Sequence, residues 1–139
     1  MNDLMQIVEN EHTSEFYPTP ESLVDKMLNG VDFNYIQTIL EPSAGKGDIL
    51  KVLARKKYGN RKFDVDCIEI DPNLRQILKY NFSDERKHKL YSRQRAIEDK
   101  RKWNRETNTY TGLSGTDKFD LLQVEKELST FFENGIHIV

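Results

Sequence analysis

Thr38-Ile39-Leu40-Glu41-Pro42-Ser43-Ala44-Gly45-Lys46-Gly47-Asp48-Ile49-Leu50 starts as an apolar run, tightens into a glycine turn and leaves as a helix. Ile36, Ile39 and Leu40 read as a short buried strand that Glu41 ends. Gly45 and Gly47 stand at Gly-x-Gly spacing, and apolar residues resume with helical recurrence at Ile49, Leu50 and Leu53. Glycine admits backbone conformations that a side chain forbids, and it lets a ligand come up against bare peptide. The helix behind such a turn aims unpaired N–H groups and a partial positive charge at whatever sits there. A second strand, predicted over Phe63–Ile70, ends in another acid, Glu69, twenty-eight residues after Glu41. Two acidic strand ends flanking a glycine turn suit a cofactor that carries an adenosine.

Upstream, residues 1–15 are polar and weakly patterned, and read as a flexible or loosely docked lead-in. In Tyr17-Pro18-Thr19-Pro20-Glu21, Thr19 is placed to cap a helix, Pro20 suits its first position and Glu21 its first turn. Leu23, Val24, Met27 and Leu28 supply the apolar face of that helix, and Asn29-Gly30 ends it. The helix after the glycine turn is predicted from about Gly47 to Lys57, with Arg55, Lys56 and Lys57 in its last turn and Gly59 as its stop.

Downstream, the second strand alternates until Cys67, and the apolar residues Ile68 and Ile70 at its end predict burial on both faces, as in a parallel sheet. Asp71-Pro72 opens another helix with Leu74, Ile77 and Leu78 inward, Asp71 serving as N-cap more readily than as a ligand contact. Residues 104–116 are rich in Thr, Asn, Gly and Ser and read as loop. Thr116 is expected to cap a further helix with Leu121, Val124, Leu128 and Phe131 on one face. Ile136-His137-Ile138-Val139 reads as a third strand, where the chain stops. Strand alternating with helix predicts an α/β fold, a Rossmann-like doubly wound parallel sheet, here cut short after the third strand.

With 139 residues, 37% of them apolar, the chain has material for one domain with a modest core. Charged residues make up 32%, yet the formal net charge is −2, so any nucleic-acid affinity must come from a local patch. No apolar run approaches the ~18–20 residues of a membrane span, so no membrane partner is expected. The first ten residues hold two acids, no Lys or Arg and no apolar block, unlike a secretion signal. Cys67 is alone, which excludes an internal disulfide, favours a buried structural thiol and makes a cytoplasmic location the default. His88 and His137 lack a Cys or His partner at metal spacing, so no metal site is expected.

Leu40-Glu41-Pro42-Ser43-Ala44-Gly45-Lys46-Gly47-Asp48, followed by Cys67-Ile68-Glu69-Ile70-Asp71-Pro72, resembles the class I S-adenosylmethionine-dependent methyltransferases, most closely the adenine-N6 DNA methylases. The resemblance covers roughly the first two-thirds of the chain. It implies that the turn of Glu41, Pro42, Ser43, Ala44, Gly45 and Gly47 wraps the methionine end and the sulfonium of S-adenosylmethionine. It implies equally that Glu69 binds both ribose hydroxyls and that Ile70 packs on the adenine. Tyr17, Thr19 and Pro20 resemble the upstream motif of those enzymes, in which threonine and proline help to hold the methionine moiety. The implied activity is methyl transfer to the exocyclic amine of adenine in DNA, by in-line displacement with the base flipped out.

Elementary chemistry points the same way. A ribose diol donates two hydrogen bonds, and a carboxylate at a strand end is a matched acceptor. Glu41 and Asp48 beside the turn suit a sulfonium better than a pyrophosphate. A dinucleotide fingerprint would place its third glycine where Leu50 stands, which makes an NAD site a distant third choice. A phosphate loop needs Ser or Thr after Gly-Lys, whereas Lys46 precedes Gly47 and Asp48. Blander accounts stay open for single residues. Gly45 and Gly47 would serve a bare strand-to-helix turn, Thr19 a cap, and Asp48 the dipole of the helix it opens.

Residues 84–106 hold nine lysines and arginines against five acids, within a basic insertion at about 83–116. A solvated helix face is the commoner meaning of such a run. The alternative is a nucleic-acid guide, DNA above all, in which Arg93, Arg95, Arg101 and Lys102 meet phosphates while Trp103 and Tyr91 stack on bases. The adenine methylases also carry an Asn/Asp-Pro-Pro-Tyr/Phe motif that grips the base, and Pro-Pro occurs nowhere in this sequence. Catalytic residues are therefore unassigned. Two readings remain, the cofactor-binding half of a methyltransferase or a non-catalytic cofactor- or nucleic-acid-binding module. A sheet ending at three strands leaves the first strand's edge unpaired, so self-association there, or a missing C-terminal part, is expected.

Overall fold

The structure, a computed structural model, describes residues 18–56, 62–101, 103–104, 106–107, 109–110 and 112–139, with the side chains of 103, 104, 109 and 110 left aside. The lead-in over 1–15, the predicted site residues Tyr17 and Lys102, and the helix end at Lys57 and Gly59 lie outside the described residues. In chain order the elements are α1 (Glu21–Leu28), a 3-10 turn (Phe33–Tyr35), β1 (Thr38–Glu41), α2 (Asp48–Arg55), β2 (Asp64–Cys67), α3 (Pro72–Asn81), α4 (Asp84–Glu98), β3 (Trp103–Asn104), β4 (Thr109–Tyr110), α5 (Gly115–Leu128) and β5 (His137–Ile138). They divide into two compact units, the chain through Ser83 with Thr130–Val139, and Asp84–Ser129.

The first unit is α/β, a three-stranded parallel sheet in the order β1-β2-β5 with helices packed on it. Thr38 to Glu41 pair in register with Asp64 to Cys67, and Asp66 and Cys67 pair with His137 and Ile138. Parallel neighbours require crossover connections, and α2 provides the one from β1 to β2. Strand alternation sorts the side chains. Val65 and Cys67 are buried together with Leu50, Leu53 and Ala54 of α2 and Leu78 of α3, so both helices cover one face of the sheet. Phe33, Phe63, Phe132 and Phe82 bind distant segments through successive ring contacts, edge-on at 6.4 and 6.5 Å and then stacked at 6.0 Å.

The opposite face differs from expectation. Thr38, Leu40, Asp64, Asp66 and His137 are all exposed, and Leu40 keeps 64% of its accessible surface. Ile68 and Ile70, read as a strand end buried on both faces, are 40% and 90% exposed. The alternation simply continues to Cys67, and the two isoleucines fall in the loop beyond it. Leu40, Asp66 and His137 form a cross-strand row on this face, with His137 Nδ1 3.1 Å from Asp66 Oδ1. Among the described residues β1 pairs with β2 alone.

Two caps also move. α1 begins at Glu21 with Pro20 as its N-cap and no side-chain cap, the Pro20 carbonyl accepting from the Leu23 and Val24 amides. Pro20 is itself extended, with ψ 143°, so the helix starts one residue later than a Thr19 cap requires. α5 is capped by Ser114, whose Oγ accepts from the Asp117 amide at 3.1 Å, while Thr116 lies inside the first turn.

In the second unit α4 and α5 pack together, with Leu90, Ile97 and Val124 buried. Lys100 Nζ and Asp117 Oδ1 pair at 2.8 Å, which holds the lysine's pKa above its ordinary value and the aspartate's below it. The segment read as loop contains a ribbon instead. Trp103 and Asn104 pair antiparallel with Tyr110 and Thr109, three of the four being residue types that favour strands.

Candidate functional site

The glycine turn leaves the C-terminal end of β1 and follows β2, the Ala44 amide donating to the Ile68 carbonyl at 2.9 Å. Glu41 folds back on the turn, its Oε1 accepting from the Ser43 amide at 2.9 Å. Gly45 has φ 58° and Gly47 φ 96°, left-handed backbone that favours glycine. Asn81 Nδ2 donates to the Lys46 carbonyl at 2.8 Å and so ties the middle of the turn to the end of α3.

Glu69 closes the turn from the other side. Its Oε1 accepts from the Gly45 amide and its Oε2 from the Asp71 amide, each at 2.8 Å. A carboxylate offers about four lone-pair sites, so each oxygen retains one acceptor position. Arg75 Nη1 steadies the same residue through its backbone carbonyl at 3.0 Å. Ile70, next in sequence, stands almost fully in solvent. Asp71 is the N-cap of α3, its Oδ1 accepting from the Asn73 and Leu74 amides at 2.8 and 3.2 Å. That is the role its place before Pro72 predicts.

Glu41, Ser43, Ala44, Gly45, Gly47, Glu69 and Ile70 are thus gathered at the ends of β1 and β2, with Pro42 exposed on the turn. Asp48 is the first residue of α2 and lies half-buried at the positive end of its dipole. Thr19 and Pro20 are placed differently. Arg55 pairs with Glu21 at 2.8 Å and Lys56 with Asp25 at 3.1 Å, which anchors the start of α1 at the end of α2 away from the glycine turn. Gly47 is held by packing as well as by its turn, since a Cβ there would meet Phe82 and Leu78. Asn81 and Phe82 carry no local signal of a role at the turn, being more than thirty residues away in sequence.

Cys67 is buried, its Sγ 3.6 Å from the His137 carbonyl. Burial first, then Asp66 and Glu41, push its thiol from about 9.0 up to about 11. Among the described residues no group of three His, Cys, Asp or Glu side chains gathers to hold a metal.

Arg93, Arg95 and Arg101 belong to the second unit. Arg93 and Arg95 are both exposed on α4, but at 100° per residue they lie about 200° apart around its axis. Arg101 is exposed just past that helix, and the side chain of Trp103 on β3 lies outside the described atoms. No helix among the described residues is long and apolar enough to cross a membrane. Compared with protein-family models, with characterised proteins and with solved structures, the chain finds no match.

Proposed function

We propose that the chain is the cofactor-binding part of an S-adenosylmethionine-dependent methyltransferase acting on the exocyclic amine of adenine in DNA. In this reading β1, β2 and β5 are successive strands of a Rossmann-like doubly wound sheet. The observation that carries it is the Glu69 carboxylate, held by the Gly45 and Asp71 amides at the strand ends beside the glycine turn.

The donor set fits the cofactor. Two free acceptor positions on Glu69 match the two hydroxyls of a ribose, and fixed N–H partners keep the carboxylate oriented before the ligand arrives. Ile70 offers an apolar surface one residue on, suited to a purine face. Glu41 and Asp48 place negative charge around the turn, favouring a cationic sulfur over a phosphate. S-adenosylmethionine, when bound, supplies an electrophilic methyl group. The residues of this chain bind and orient, and none of them is assigned a proton-transfer role.

Calorimetric titration with S-adenosylmethionine, S-adenosylhomocysteine and NAD tests the proposal. The first two are expected to bind, NAD not, and Glu69→Ala to abolish binding. Equal binding of NAD, or unchanged affinity in the variant, would overturn it. The second reading, a non-catalytic cofactor- or nucleic-acid-binding module, draws on the lack of any Pro-Pro pair in the sequence. Labelled methyl transfer to an oligonucleotide, measured with the whole reading frame rather than with the cofactor-binding part alone, separates the two.

A further inference from the structure

Helix α5 carries Lys118, Leu121, Leu122 and Glu125 at i, i+3, i+4 and i+7, a spacing that brings side chains onto one face. Together with Arg101 and Leu113 they line an open groove of about 630 Å³. Leu122 is 62% exposed, so the middle of this face is apolar and wet. Lys100 is engaged with Asp117, whereas neither the Lys118 ammonium nor the Glu125 carboxylate has an ion-pair partner among the described residues.

The order of these residues is self-complementary. Cation, leucine pair and anion follow one another symmetrically about the Leu121–Leu122 peptide. A second α5 laid antiparallel, with a two-fold axis through that point, sets Lys118 against the partner's Glu125 and Glu125 against the partner's Lys118. The leucines of both copies meet between them. The charged pair spans about 10.5 Å along either helix axis, so both contacts close at once. An isologous two-fold interface requires this reciprocity, in which residue i meets j and j meets i.

We propose that this face of α5 is a homodimer interface. An acidic amphipathic peptide is the competing occupant, drawn by Arg101 and Lys118, but it would set its own acids near Glu125. The face is small, four side chains of α5 with Arg101 and Leu113 beside them, so the dimer is weak and depends on concentration. It stands independently of the methyltransferase reading.

Sedimentation equilibrium of the full chain over a wide span of concentration, up to the highest that stays in solution, tests it. The wild type should show a mass that rises with concentration. Lys118→Glu and Glu125→Lys, each placing like charges opposite one another, should weaken association about tenfold or more. An equimolar mixture of the two variants should associate again, because every charge pair in the mixed dimer is of opposite sign. Both changes agree with the helix dipole, so the fold should survive, as circular dichroism would verify. Pairing along the β1 edge would respond to none of these substitutions. A wild type that stays monomeric throughout, a mass that the charge changes do not move, or a mixture no better than its components would overturn the proposal.

Discussion

Gly47 faces the ring of Phe82 so closely that a Cβ at this position would lie 2.5 Å from Cε2 and 3.1 Å from Leu78 Cδ1. Residues thirty-five apart in sequence therefore share one contact, at a backbone φ of 96° that side chains rarely adopt. Gly47→Ala combines left-handed strain with overpacking and should destabilise the protein by about 2–4 kcal/mol, read from urea denaturation. A loss below about 0.5 kcal/mol would mean that the turn yields where the packing says it cannot.

The two N-terminal cap candidates separate cleanly. Asp71 accepts from two amides at the start of α3, whereas no hydrogen bond from the Thr19 side chain caps α1. Asp71→Ala should cost about 1 kcal/mol, and Thr19→Ala no more than about 0.5 kcal/mol. Thermal unfolding of both variants checks the pair, and the reverse order would restore Thr19 as a cap.

Cys67 should be chemically quiet in the native state. With its thiol raised to about 11, little thiolate exists at pH 8, and burial blocks access as well. Maleimide labelling should be slow in buffer and fast in urea. The linked effect on stability has a definite sign. The unfolded thiol ionises first, so the stability that burial of the neutral thiol contributes is intact below about pH 9 and is lost between about 9 and 11. Replacement by Ala or Ser should remove that part of the alkaline decline.

For the basic residues the expected outcome concerns salt. Replacing Arg93, Arg95, Arg101 and Lys102 with glutamine should weaken DNA binding and flatten its dependence on salt, by a slope of roughly 0.9 for each phosphate no longer neutralised. Fluorescence anisotropy between 50 and about 200 mM salt measures it. Unchanged affinity would leave this stretch as a solvated surface. The 200° separation of Arg93 and Arg95 implies that they do not contribute equally.

Local chemistry was enough for the strand–turn–helix at 38–55 and for the second strand and its capped helix at 64–81. Each depends on neighbours within one turn of chain: period-two alternation up to Cys67, Gly45 and Gly47 at the turn, and Asp71 before Pro72. The parallel sheet followed from strands separated by helices. Where several nearby hydroxyls or prolines compete for a cap, spacing alone did not choose, and Ser114 displaced Thr116. The ribbon joining Trp103–Asn104 to Thr109–Tyr110 was masked by a composition typical of loops.

That Glu69 and the glycine turn stand at one end of the sheet was expected from the sequence, but the individual contacts that cross the fold were not, because they depend on which elements pack side by side. The Glu69 carboxylate reaching the Gly45 amide, Asn81 holding the Lys46 carbonyl and Phe82 walling off Gly47 are of this kind. So is the bare face of Leu40, Asp66 and His137. Alternation along a strand separates one side from the other, but only the placement of helices decides whether the second side is covered. Glycine at 45 and 47 answers a backbone demand legible in the turn itself, whereas the Glu69–Gly45 contact and the Phe82 ring against Gly47 exist because tertiary packing brings distant elements together.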